Sequence, residues 1–204
     1  MTFTTQILYG QSLGGAVAID LASRNPSKVS PDPKQRATLN FYFIHRSQIN
    51  ALIVENTFTS LPGVVRGWPI IGIFSFICLQ KWDSASKLPR IPKALPILML
   101  SGDMDQVVPR NHMHTLWEIA TKRGGSDTGS NEQSDVPPSK DVFKSFLWGS
   151  HGKWLFISRF WEITMCCDIL ADTDQQGGYW RAFEKFLDSL NTPWQRVTFL
   201  GSWV

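Results

Sequence analysis

The stretch "ILYGQSLGGAVAIDLA", residues 7–22, decides how the chain is read. Gln6-Ile7-Leu8-Tyr9 has the character of a buried strand, and Gly15-Ala16-Val17-Ala18-Ile19-Asp20-Leu21-Ala22 that of a helix. Between them, Gly10-Gln11-Ser12-Leu13-Gly14 fits the pattern G-x-S-x-G, which places a serine on a sharp strand-to-helix turn. Small residues are needed there because the turn crowds the backbone of its neighbours. The helix stays small where it must lie close to a sheet, and its N-terminal amides point toward Ser12. The competing reading is an ordinary turn whose serine merely caps the helix.

Further along, strand and helix signals alternate. "INALIVENTF" (49–58) reads as a buried strand followed by a polar turn. "ALPILMLSGDMDQVVP" (94–109) reads as a buried strand that ends in an acidic loop. "RNHMHTLWEIATKR" has Met113, Leu116, Trp117 and Ala120 on one helical face. "VFKSFLW" (142–148) is a third such strand, and it runs into Gly149-Ser150-His151. "GGYWRAFEKFLDSL" (177–190) reads as an amphipathic helix. Strands alternating with helices imply an α/β class with a parallel sheet and flanking helices. Residues 59–93, rich in Pro, Gly and Trp, read as a short cap. Residues 124–141 read as a polar low-complexity loop.

Acyl transfer by a serine requires a base to take the hydroxyl proton and an acid to orient that base. In one arrangement of this chemistry the chain order is serine, acid, histidine. Ser12 follows the first strand, Asp103 and Asp105 follow the strand at 94–102, and His151 follows the strand at 142–148. In a parallel sheet those strand ends open on one edge, so the groups can converge.

Composition bounds the alternatives. A chain of 204 residues fits one domain with its own core. A hydrophobic fraction of 43% with 18% charged residues is ordinary for a globular protein, and a net charge of +3 gives no argument for a nucleic-acid partner. Three cysteines, Cys78 and the adjacent Cys166 and Cys167, form no disulfide framework and read as free thiols. His45, His112, His114 and His151 lack cysteine or carboxylate partners at metal-ligand intervals, so no metal or cofactor is expected. His112 and His114, two apart on a helix, read as surface residues. "MTFTTQILYG" has neither a basic region nor a cleavage site, so the chain alone reads as cytoplasmic. The apolar run "WPIIGIFSFICL" (68–79) is about half the length of a membrane span. It is read as lining an acyl pocket or dipping into an interface.

The motifs "YGQSLGGAVAIDLAS", "ALIVENTFTSLP", "LSGDMDQVVP", "GSH" and "DTDQQGGYWRAFEKF" resemble the alpha/beta-hydrolase domain-containing protein 13 family, the Bem-type bud-emergence hydrolases. The resemblance implies a partial α/β-hydrolase fold over 1–190 and a serine hydrolase acting on an acyl ester or thioester, with lipids or acylated proteins among its substrates. It implies Ser12 as nucleophile, His151 as base and the backbone N–H of Leu13 as an oxyanion donor. Asp105 is preferred over Asp103 as the acid, because hydrolases of this class carry it three residues after the strand-ending glycine, before an apolar pair and proline. Family members begin with a membrane-anchoring helix, which implies membrane association for the family. A serine peptidase of the same fold and a non-catalytic interaction fragment are the rival readings.

Three departures from the family pattern set further expectations. The family has strands before the elbow, and one of its oxyanion donors comes from an early loop. Without them the elbow strand is expected to expose a bare edge, and loss of one donor typically costs about a hundredfold to a thousandfold in turnover. The chain as written is therefore expected to show at most trace activity. Residues 29–48 and 152–170 look inserted; they read as in-frame introns of a truncated gene model, with lineage-specific surface loops as the rival reading. The tail 191–204 reads as similar read-through.

Overall fold

The computed structural model describes residues 5–26, 49–67, 81–124, 140–147, 178–190 and 197–200. Their order is β1 (Thr5–Gln11), α1 (Leu13–Arg24), β2 (Ile49–Glu55), α2 (Leu61–Arg66), α3 (Ser84–Lys87), a 3₁₀ turn (Leu88–Arg90), β3 (Ile97–Gly102), α4 (Asn111–Thr121), β4 (Val142–Phe146), α5 (Gly178–Ser189) and β5 (Val197–Leu200). The five strands form one sheet in the order β4-β3-β2-β1-β5, and every pairing is parallel. All strands therefore end on the same edge. The expected segments 29–48 and 152–170 and the apolar run 68–79 lie outside the described residues.

Side chains along a strand alternate between faces, and the two faces bury different partners. On one face Leu8, Leu52, Val54, Ile97 and Met99 pack with Ala18, Ile19 and Ala22 of α1 and with Met113, Leu116 and Ala120 of α4. On the other, Ile7, Tyr9, Ala51, Ile53, Leu98 and Leu100 meet Tyr179, Phe183, Phe186 and Leu187 of α5. Continuously apolar strands such as ALIV at 51–54 follow from this covering on both sides. The α4 face expected from periodicity is the buried one, with Trp117 half-buried against the same core. Of the stretch expected as a cap, Leu88 and Ile91 are buried in that core as well.

Two local starts explain the short helices. Ser60 caps α2 by accepting from the Gly63 amide, with Pro62 in the first turn. Asp83 caps α3 by accepting from the Ser86 amide.

The elbow strand does not carry a bare edge. β5 pairs with β1 from Thr5↔Val197 to Leu8↔Leu200, so β1 has a neighbour on each side, and among the described strands β5 and β4 lie outermost. The expectation assumed that only preceding strands could fill this place. The run Val197-Thr198-Phe199-Leu200, with two β-branched residues and an aromatic, has ample strand propensity to do so.

Candidate functional site

Ser12 lies between the last residue of β1 and the first of α1, with φ 52° and ψ −120°. A non-glycine residue in this region is strained by on the order of 1–3 kcal/mol and persists only where its surroundings hold it. Three contacts do so. The Ser12 amide donates to the Glu55 carbonyl at 2.9 Å, and the Gly15 amide (3.1 Å) and the Thr57 hydroxyl (2.7 Å) donate to the Ser12 carbonyl. The Ser12 side chain makes no capping bond to α1, which removes the reading of a simple helix cap.

The glycines of the motif meet a steric requirement. A Cβ on Gly10 would sit 2.2 Å from the Gly14 carbonyl oxygen, and one on Gly15 would sit 2.6 Å from the Thr57 Cβ. The elbow thus closes strand on helix and helix on the loop after β2. Leu13 opens α1, where amides have no acceptor within the helix.

Asp105 follows β3 on the same sheet edge, and β1 and β3 are about 9–10 Å apart, two strand spacings. Asp105 is buried, and its Oδ1 accepts from the Val107 and Val108 amides, both at 2.8 Å. Asp103, half-buried, begins the tight turn. Its amide donates to the Phe146 carbonyl, and the Asp105 amide donates back to Gly102. Asn56, at φ 41°, links the two loops: its amide donates to Leu100 and its Oδ1 accepts from the Gly102 amide at 2.7 Å. The structure therefore brings Ser12, Leu13 and Asp105 to one edge. His151 follows β4 in the sequence and lies outside the described residues.

Three functional-site neighbours were not singled out from sequence: Glu55, Asn56 and Thr57. The signal was present in "VENTFTS", a polar run placed directly after a buried strand. Glu55 is fully buried. Its Oε2 accepts from Tyr9 at 2.8 Å and Tyr179 at 2.9 Å, and its Oε1 accepts from Gln11 at 3.3 Å.

His112 corrects a second expectation: it is buried rather than on the surface. Its Nδ1 lies 2.8 Å from the Thr59 hydroxyl and accepts from the Thr59 amide at 3.4 Å. Alternation of faces over two helical positions puts only one of the pair outside, and that one is His114, whose ring lies 5.1 Å from Phe143. Burial holds the His112 pKa below the ordinary 6.5. The neutral ring is thus favoured in the fold, and protonation opposes folding. The stability it contributes is present above the ordinary histidine range and is lost as pH falls through the lowered value. Denaturant unfolding followed from about pH 8 down to about pH 5 is expected to show a steeper loss for the parent chain than for His112→Gln. Parallel profiles would remove His112 from this role.

A cleft of about 360 Å³ opens elsewhere, between β4 and α5, lined by Lys144, Phe146, Arg181 and Lys185 among others; it includes neither Ser12 nor Asp105. Among the described residues no group of three or more His, Cys, Asp or Glu gathers as metal ligands. Among them, too, no helix is long and apolar enough to cross a membrane.

A parallel sheet covered on both faces, with a strained serine between strand and helix, is the architecture of α/β hydrolases. Solved structures agree with that fold. The acylaminoacyl peptidase of Pyrococcus horikoshii matches 92% of this chain and 24% of its own, with a TM-score of 0.54 at 11% identity. The carboxylesterase Cest-2923 of Lactobacillus plantarum matches 91% and 58%, with a TM-score of 0.50 at 15% identity. Among curated sequences, Protein bem46 of Schizosaccharomyces pombe is 37% identical over 173 residues, 84% of this chain and 45% of that protein. The chain belongs to the Bem46-type alpha/beta hydrolase family. The alpha/beta hydrolase domain-containing protein WAV2 of Arabidopsis thaliana is 32% identical over 130 residues, 57% of this chain and 35% of its own. An uncharacterized membrane protein of Saccharomyces cerevisiae is 28% identical over 158 residues, 77% of this chain and 43% of its own. The chain thus spans less than half the length of the curated Bem46-type relatives it matches. No family model matches it.

Proposed function

We propose that the chain carries the nucleophile, acid and base of a serine hydrolase that cleaves an acyl ester or thioester. The carrying observation is Ser12 itself, strained at φ 52°, held by three hydrogen bonds and not used as a helix cap. In the proposed reaction the Ser12 hydroxyl attacks the acyl carbonyl while His151 takes its proton. Asp105 orients the imidazole and stabilises its charged form, and the Leu13 amide donates to the oxyanion. The C–O or C–S bond then breaks, the leaving alcohol or thiol takes the proton from His151, and water releases the acyl group by the same route. Acyl groups attached to lipids or proteins are the substrate classes this reading favours. Membership of the Bem46-type family supports hydrolysis over a non-catalytic role.

Fluorophosphonate labelling tests the reading, because a covalent adduct accumulates even when turnover is slow. Peptide mapping is expected to place the adduct on Ser12; an unmodified chain, or an adduct on another residue, overturns the proposal. Nitrophenyl esters, acyl thioesters and peptides offered side by side separate the bond types. Cleavage of peptides alone would replace the ester reading with a peptidase.

A further inference from the structure

The geometry points to Glu55 as a positioning residue that fixes the elbow and ties it to the contact between the end of β4 and the start of α5; this rests on the hydrolase reading above. Glu55 ends β2, opposite Gln11 in the register of β1. Its backbone carbonyl accepts from the Ser12 amide at 2.9 Å. Its side chain turns to the α5 face and collects Tyr9, Gln11 and Tyr179. Tyr9 and Gln11 are two apart on β1, on one face, immediately before the nucleophile. One residue thus grips Ser12 through its backbone and the strand leading to Ser12 through its carboxylate.

Tyr179 supplies the second half of the argument. It sits in the first turn of α5, 1% exposed, and its ring lies 5.8 Å from that of Phe146, the last residue of β4. His151 falls in the sequence between those two residues. Both ends of the segment bearing the proposed base therefore meet at one aromatic contact, and the Tyr179 hydroxyl ties that contact to Glu55. A carboxylate out of water is costly unless it accepts hydrogen bonds, and an apolar side chain of similar volume would fill the space without that cost. What the carboxylate adds is fixed distance: three donors from two elements converge on a group one peptide away from the Ser12 bond.

Two measurements test this on the full chain. Glu55→Leu removes both side-chain acceptor oxygens and leaves the backbone carbonyl, while Glu55→Gln keeps one oxygen that can still accept both tyrosine hydroxyls. Misplacement by about 1 Å can cost on the order of a hundredfold, so Glu55→Leu is expected to label at Ser12 about a hundredfold more slowly, and Glu55→Gln to recover most of that loss. Amide hydrogen exchange at Ser12 is expected to accelerate in Glu55→Leu while Ile53 and Leu98 keep their protection. Exchange that is unchanged at Ser12, or that rises equally at Ile53 and Leu98, overturns the inference. If Glu55→Leu does not fold, Tyr179→Phe removes a single oxygen and is expected to accelerate Ser12 exchange in the same selective way; no change there overturns it. Exchange needs no chemistry, so a parent chain that fails to label ends the hydrolase reading while the grip of Glu55 on Ser12 is still decided.

Discussion

Asparagine in place of Asp105 is expected to slow acyl transfer at Ser12 by about ten-thousandfold without unfolding the chain. The Asp105 Oδ1 accepts from the Val107 and Val108 amides, and an asparagine oxygen can accept both. The loop after β3 therefore keeps its shape. The other position of the group changes from an acceptor to an N–H₂ donor. A donor there cannot hold the imidazole N–H of the proposed base, which then turns to the wrong tautomer and loses the charge that stabilises it once protonated. The measurement is the rate of fluorophosphonate labelling beside the denaturant midpoint for the parent chain and Asp105→Asn. Labelling within tenfold of the parent, at unchanged stability, would move the acid to another residue. Equal loss in Asp103→Asn would point to the turn rather than to the carboxylate.

Arg123→Met is expected to cost about 3–5 kcal/mol of folding stability, because it strands a buried carboxylate. The Arg123 and Asp141 side chains are 0% and 4% exposed, and the guanidinium meets the two carboxylate oxygens at 2.9 and 2.7 Å. Arg123 also donates to the carbonyls of Pro92, Leu95 and Ala120, and Asp141 Oδ1 accepts from the Ile97 amide. The pair thus joins the end of α4 to the starts of β3 and β4, on the sheet edge opposite Ser12. Asp141→Asn keeps an acceptor for Ile97 while removing the charge, so Arg123→Met with Asp141→Asn is expected to regain much of the loss. Urea unfolding of the two variants and the parent measures both effects. A cost below about 1 kcal/mol for Arg123→Met would mean the pair is solvated like a surface salt bridge.

What sequence could and could not reveal follows from how local each cause is. The elbow was legible because its requirement is local: Gly10 is crowded by Gly14, four residues away. Gly15 answers to Thr57, and no pattern within the elbow shows that need. The alternation of buried strands and helices gave the parallel sheet, since strands covered on both faces read as continuous apolar runs. Pairing of β5 with β1 was missed, because a four-residue strand carries little signal and its partner is set by tertiary geometry. The burial of Glu55 was missed for a similar reason. A lone glutamate after a strand reads as a solvated turn until two tyrosines, one on β1 and one on α5, are seen to converge on it.

The place of β5 in the sheet has a consequence for biosynthesis. Thr5 pairs with Val197, and at about 5–20 residues per second a ribosome needs roughly 10–40 s to travel between them. Through that interval β2 can close on one flank of β1 while the other flank stays open. An unpaired parallel edge is a template for any other extended chain nearby, and pairings this distant in sequence are slow to form even after synthesis ends. The strand that presents Ser12 is thus made long before the strand that encloses its second flank, and the yield of folded chain depends on what shields that flank while it waits.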